Sequence, residues 1–353
     1  MYFVNKDVKS CVRIFPEQGR YDYRRYDMNE NPEGLPKEFV DSVIKEITPE
    51  FLAIYPEPDR FLNKYAKYID ADYENVLTTN GSDMAIRYLL EVFCEKGKEV
   101  VTVTPSFEMY AVNCSILGLK HKAVSYAKDL SIDVGKIVGA ISDETDIVVL
   151  LNPNNPIGNV YTEEELERIV DKAEQSGAIV IIDEAYHYFY KDTFLSYALN
   201  RNNVVVLRTF SKLFSLAACR LGIIISNPEI IGYVKKSRLT FEVNSIALLF
   251  AERLMDHPEL IEGLIKTADE GKQYALERLQ QAGYEVRDCK GNFIFVKPKT
   301  SPKDVERMLK EKDKILVKAY GNDLLKDYIR VSTGSKEAME FFVDKFLLTD
   351  SKN

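Results

Sequence analysis

Histidine is scarce in this chain. Its 353 residues include three, His121, His187 and His257, and no two stand at the spacing of a helical metal motif. That argues against a zinc site built on imidazoles, and no metal is expected. Cysteine is scarce as well. Cys11, Cys94, Cys114, Cys219 and Cys289 are odd in number and scattered, and no CxxC occurs. They read as reduced thiols of a cytoplasmic protein, not as a disulfide frame. Long hydrophobic runs are missing. The opening MYFVNKDVKS lacks the apolar core of a signal peptide, and no run approaches membrane-spanning length. There is no basic excess, because the net charge is -8 and the lysines and arginines are dispersed. This argues against a nucleic-acid surface. Neither an internal repeat nor a low-complexity linker is visible. What remains is a cytoplasmic enzyme or small-molecule binding protein.

The chain length suits two domains, or one large domain with an appendage. Its middle carries short Val/Ile-rich runs, EVVTVTP, DIVVLLNPNNP, AIVIIDEAY, VVVLRTFSK and LGIIIS. They are apolar on both faces, as parallel strands covered by helices should be. Between two of them lies TEEELERIVDKAEQSG, a predicted helix with a capping box at Thr162 and Glu165 and a stop at Gly177. TTNGSDMAIRYLLEVFCEKG reads as a loop feeding another helix. Strand, helix, strand in this order predicts a doubly wound α/β domain. The last hundred residues alternate helical patterns (IALLFAERLMDH, GKQYALERLQQAG, SPKDVERMLKEK) with short strands (GNFIFVK, KILVKAY, DYIRVS). The expectation is a large α/β domain over 30–245 and a smaller α+β domain from 1–29 and 246–353.

Polar residues cluster where the apolar runs end. Asn152, Asn154 and Asn155 follow the second, Asp183, Glu184 and Tyr186 the third, and Thr209, Ser211 and Lys212 the fourth. Ligands of open α/β sheets bind beyond the carboxyl ends of strands, so these residues are expected to converge. Singly, each has a plainer reading: Asp183 as a helix cap, Asn155–Pro156 as a turn, Tyr186 as core edge, Lys212 as a solvated lysine. As a set they suit one chemistry. An amine among apolar residues and near Arg220 has a lowered pKa and is a nucleophile toward an aldehyde. A buried acid holds a proton on a heterocyclic nitrogen, a phenol and an amide hold a phenolate oxygen, and hydroxyls, an arginine and a helix N-terminus hold a phosphate. Together they describe a cradle for pyridoxal 5'-phosphate.

NPNNPIG, DEAY, and SK followed eight residues later by Arg220 resemble the fold-type I pyridoxal-phosphate aminotransferases. With NENPEG (29–34), YPEP (55–58), TNGSD (79–83), PSFEMY (105–110) and YIRVSTG (328–334) in family order, the chain resembles the histidinol-phosphate aminotransferase branch. The resemblance implies that Lys212 is the Schiff-base lysine and proton carrier and that Asp183 pairs with the pyridine nitrogen. Tyr186 and Asn155 would hold the ring's phenolic oxygen, with Phe107 and Ala185 on the two ring faces. Thr209, Ser211, Arg220 and the backbone at Ser82 and Asp83 would hold the phosphate, joined by Tyr55 from the other subunit of a homodimer. Arg330 would grip the substrate carboxylate, with Asn292, Asn31, Glu33 and Lys318 nearby. The implied reaction moves an amino group between an amino acid or amino alcohol phosphate and a 2-oxo acid such as 2-oxoglutarate. Decarboxylation of a phosphorylated amino acid and aromatic amino acid transamination are the alternatives on this scaffold; a cofactor-binding protein without catalysis is the alternative of another class.

The chain departs from the branch at four positions. Glu33 stands where an aromatic is usual, Lys318 where an arginine is, Glu242 at a usually neutral position, and Ile157 in place of a frequent Thr. Lys318 is a point charge without the planar fork of Arg. All are expected on the substrate side, where either glutamate would repel a phosphate dianion unless it faces solvent.

Overall fold

The computed structural model describes residues 2–11, 15 and 18–350. Its large sheet has seven strands: β1 (Val76–Asn80), β2 (Glu99–Thr104), β3 (Lys120–Ser125), β4 (Thr145–Leu151), β5 (Ile179–Asp183), β6 (Val204–Thr209) and β7 (Leu221–Ser226). Their order is β1-β7-β6-β5-β4-β2-β3. Neighbours pair in parallel except at β7, which is antiparallel to both β1 and β6. LGIIIS therefore reads as a buried strand correctly but runs against the direction expected. Burial on both faces leaves the same apolar signature whichever way a strand points.

Alternation along each strand divides the core in two. Val148, Leu150, Val180, Ile182, Val204 and Val206 pack into one cluster. Ile147, Val149, Leu151, Ile181, Val205 and Leu207 pack into the other. Each such side chain, fully withdrawn from water, contributes about 1.5–3 kcal/mol. Helices cover both faces. Helix α1 (Gly81–Phe93) lies in the second layer through Ala85, Ile86, Leu89 and Leu90. Helix α2 (Glu163–Gln175) lies in the first through Leu166, Ile169, Val170 and Ala173, and it starts on the expected capping box.

A second, antiparallel sheet follows helices α3 (Ser245–Met255) and α4 (Pro258–Gln281). It contains β8 (Glu285–Asp288), β9 (Phe293–Lys297), β10 (Lys318–Ala319) and β11 (Ile329–Ser332), in the order β10-β11-β9-β8. Helices α5 (Pro302–Asp313) and α6 (Lys336–Asp350) supply the core beneath it, with Val305, Leu309, Phe342 and Phe346. The incoming chain joins this layer: Arg24–Arg25 pairs in parallel with Ile315–Leu316, and Tyr26 is buried beside Phe342. Residues 27–34 then cross from the small sheet to the ends of the large one. Among the described residues no helix is long and apolar enough to cross a membrane.

Candidate active site

The site lies where β4, β5 and β6 end. After β5, Asp183 is buried, and both its oxygens are engaged: Tyr110 OH donates to Oδ2 at 2.9 Å and the Ala185 amide to Oδ1 at 3.1 Å. Burial pushes this carboxyl up to about 6. Tyr186, three residues further, is buried and accepts from Asn29 Nδ2 at 2.9 Å. Burial pushes its phenol up to about 12. After β4, Asn154 turns the chain by accepting from the Ile157 amide at 3.1 Å, and Asn155 Oδ1 accepts from Arg330 Nη1 at 2.6 Å.

After β6, Thr209 Oγ1 accepts from the Ser211 amide at 3.2 Å, and the chain turns to present Lys212. Lys212 Nζ donates to the Met28 carbonyl at 2.8 Å and lies 5.8 Å from the Tyr186 ring centroid. Burial, and then the Arg330 charge, lower its pKa to about 8. The loop closes through Arg220, held in the left-handed region at φ 56°. Its guanidinium reaches Asp83 Oδ2 at 3.1 Å and Ser211 Oγ at 3.4 Å. Here β7 meets the first turn of α1. A Cβ on Gly222 would stand 2.5 Å from the Ser82 nitrogen, and one on Gly81 would stand 2.5 Å from an Arg220 nitrogen. Only glycine permits this approach, which sets an arginine and two hydroxyls beside helix amides that have no partner within the helix.

Phe107 packs with one core layer and Ala185 with the other. A cleft of about 300 Å³ opens over Lys212, lined by Asn31, Phe189, Leu264, Asn292 and Thr333 among others. Among the described residues, Asn292 Oδ1 and Thr333 Oγ1 of that lining are buried without a hydrogen-bond partner, and so is Arg330 Nε. Buried polar atoms of this kind call for a ligand or water. Arg330, on β11, is tied to the Asp27 carbonyl and faces Lys318 directly across the strand pair, so both lie on one face of the small sheet.

The comparisons follow the same lines. Residues 26–346 match the family described as aminotransferase class I and II. The histidinol-phosphate aminotransferase of Clostridium novyi (strain NT) is 32% identical over 94% of this chain and 93% of its own. That of Thermotoga maritima is 32% identical over 92% of this chain and 93% of its own. The crystal structure of the Sinorhizobium meliloti histidinol-phosphate aminotransferase in complex with pyridoxal 5'-phosphate superposes with a TM-score of 0.89. It covers 99% of this chain and 97% of that one at 19% identity, which supports the fold. The chain belongs to the class I and II aminotransferases.

It is a pyridoxal-phosphate-dependent aminotransferase of fold type I, similar to the histidinol-phosphate aminotransferases. The residues present fit that cofactor. They offer a buried carboxylate, a buried phenol beside an amide, an amine of lowered pKa, and a glycine-lined helix N-terminus with Arg220, Thr209 and Ser211. The structure brings together Lys212, Asp183, Tyr186, Asn155, Ala185, Thr209, Ser211, Arg220, Asp83, Arg330 and Asn292.

Four other residues of the aminotransferase have the following surroundings. Glu33 sits at the cleft lip, where its carboxylate accepts from the Ser335 amide at 3.0 Å and from the Ser335 hydroxyl, capping α6. Asn31 bonds Ser215 Oγ at 2.8 Å. Glu242 lies on the cofactor side: its Oε1 accepts from the Asn80 amide at 3.0 Å, at the mouth of α1, and burial raises its pKa. Tyr55 is 71% exposed and stacks on Phe241 at 4.3 Å, apart from the other site residues of its own chain. Two buried residues complete the aminotransferase site and escape the sequence reading, although both lie within quoted motifs. Asn29, at φ 56°, links Tyr186 to Ser332, and Tyr110 holds Asp183.

Proposed function

We propose that the enzyme takes the amino group from a phosphorylated amino alcohol, histidinol phosphate in the first instance, and gives it to 2-oxoglutarate, working as a cytoplasmic homodimer. The observation that carries the substrate reading is the strand register that sets Lys318 opposite Arg330. Two cations on one face of the small sheet suit a phosphate dianion better than a lone carboxylate. Glu33 is exposed to solvent and held by Ser335, so its charge is screened from that phosphate. The names of the relatives favour the same donor.

Bound pyridoxal phosphate supplies an aldehyde that bonds the substrate nitrogen and a ring that accepts the electrons released when a Cα proton leaves. The chain's own residues do the rest. Lys212 Nζ would take the Cα proton and return it two bonds away, at the cofactor's aldehyde carbon, and its lowered pKa suits both directions near neutrality. Asp183 keeps a proton on the ring nitrogen. Tyr186 and Asn155 hold the phenolic oxygen, while Thr209, Ser211, Arg220 and the amides of Ser82 and Asp83 anchor the phosphate. Arg330 orients the anion of each substrate in turn.

Visible spectra of the holoenzyme test this. Histidinol phosphate is expected to bleach the lysine-bound form, and 2-oxoglutarate to restore it. Histidine, tyrosine and phenylalanine should act more weakly. Lys318→Ala should raise KM for the phosphorylated donor roughly tenfold, the worth of one charge-assisted contact, and leave that for 2-oxoglutarate unchanged. Carbon dioxide release from a phosphorylated amino acid, without amino transfer, would point to the decarboxylase reading instead.

A further inference from the structure

We propose that Tyr110 is a positioning residue that sets where the proton between Asp183 and the cofactor ring resides. This rests on the reading of Asp183 as the partner of the ring nitrogen.

Asp183 is buried at the end of a strand with no cation among the described residues against its carboxylate, an environment that favours the neutral acid. A neutral acid cannot stabilise a protonated ring nitrogen. Two donors oppose that tendency: the Ala185 amide on Oδ1 and the Tyr110 hydroxyl on Oδ2, at 2.9 Å. The amide belongs to the backbone of the same loop, so Tyr110 is the side chain that sequence can vary. The other charged and titratable groups around Asp183 push the wrong way. Asp83 from α1 and Glu184 from its own strand end raise its pKa. Tyr186 is held by Asn29 and offers it no bond.

Tyr110 is suited to the task. It is the second residue of the helix Met109–Leu117 and is buried beside Cys114 and Leu89 in the second core layer. Burial and the Asp183 charge push its phenol well above its ordinary range, so it stays a donor throughout the working pH. The segment PSFEMY thus reaches the site through Tyr110, bonded to Asp183.

The balance is a single proton shared by two bases. With the Tyr110 bond, the carboxylate is stabilised and the proton sits on the ring nitrogen. Without it, the proton moves to Asp183 Oδ2 and the ring nitrogen becomes neutral; nothing else is gained or lost. A hydrogen bond to a charged group corresponds to a shift of roughly 10- to 100-fold in that partition.

The test is the 15N resonance of ring-labelled pyridoxal phosphate in the holoenzyme, followed with pH. Tyr110→Phe keeps the ring and removes only the hydroxyl. Its resonance should move toward that of unprotonated pyridine, and 3-fluorotyrosine at position 110, a stronger donor, should move it the other way. In an Asp183→Asn background, Tyr110→Phe should add nothing. If Asp183→Asn shifts the resonance and neither change at position 110 does, Tyr110 is only a packing residue and the proposal is overturned. If Asp183→Asn itself leaves the resonance in place, the pairing of Asp183 with the ring has failed, and the proposal with it. Should Tyr110→Phe not fold, the fluorotyrosine arm decides.

Discussion

Lys212 concentrates the chemistry in one atom. In water a lysine amine is a poor nucleophile at neutral pH, because nearly all of it is protonated. Here burial and the Arg330 charge bring its pKa to about 8. The group is depressed, so the neutral, reactive form gains as pH rises through that value. Capture of pyridoxal phosphate by the apoenzyme should therefore quicken as pH climbs and level off above about 8, well before an ordinary lysine would. Stopped-flow absorbance would measure it; a plateau only above pH 10 would contradict the lowered pKa. Lys212→Ala should still fold and hold the cofactor through Asp183, Arg220 and the helix amides, but lose at least the ~10²–10⁴-fold that a positioned base supplies. The lysine was legible because an amine at a strand end among apolar residues is unusual. Asn29 was not. Its contacts with Tyr186 and Ser332 join segments far apart in sequence, and nothing local distinguishes it from Asn31.

At the scale of elements, five of the seven large-sheet strands announced themselves as Val/Ile runs. The other two did not, for physical reasons. β3, KHKAVS, is an edge strand that is almost wholly exposed, so it carries no apolar signature. β1, VLTTN, buries two threonines, and its TTN part reads as the loop that feeds α1. Yet β1 matters most to the site, because its end and Gly222 of β7 form the proposed phosphate cradle. Gly222→Ala forces a methyl into the Gly81 and Ser82 backbone at 2.5 Å. It should weaken cofactor binding more than it lowers the melting temperature, and cofactor titration alongside calorimetry would separate the two. A second element-level device lies behind β5 and β6. Glu184 and Arg208 are buried together at 2.9 Å, and Thr193 and the Phe194 amide complete the carboxylate's bonds. Arg208→Met strands a buried charge and should cost ~3–5 kcal/mol, most of it recovered when Glu184→Leu is added. Denaturant unfolding would read both.

The molecule as a whole carries an apolar surface that a single chain does not explain. Leu52, Ile54, Tyr55, Leu239 and Phe241 are all more than half exposed, and Tyr55 and Phe241 stack face to face in the open. Exposed clusters of this kind mark interaction surfaces. The occupant proposed is a second copy of the chain, since a two-fold dimer brings such a patch against itself. The segment around it runs directly into the cofactor end of the site: Phe241 adjoins Glu242, which holds the Asn80 amide at the start of α1. A partner seated here closes the phosphate end and can bring its own Tyr55 to it. Phe241→Asp should then do two things at once, converting the dimer to monomer by light scattering and weakening cofactor affinity. Tyr55→Phe separates them, because it removes only the hydroxyl. It should leave the mass of the dimer unchanged and still reduce cofactor affinity by roughly tenfold, the loss of one bond to a charged group. An unchanged affinity would leave Tyr55 as interface packing and confine the cofactor site to one subunit.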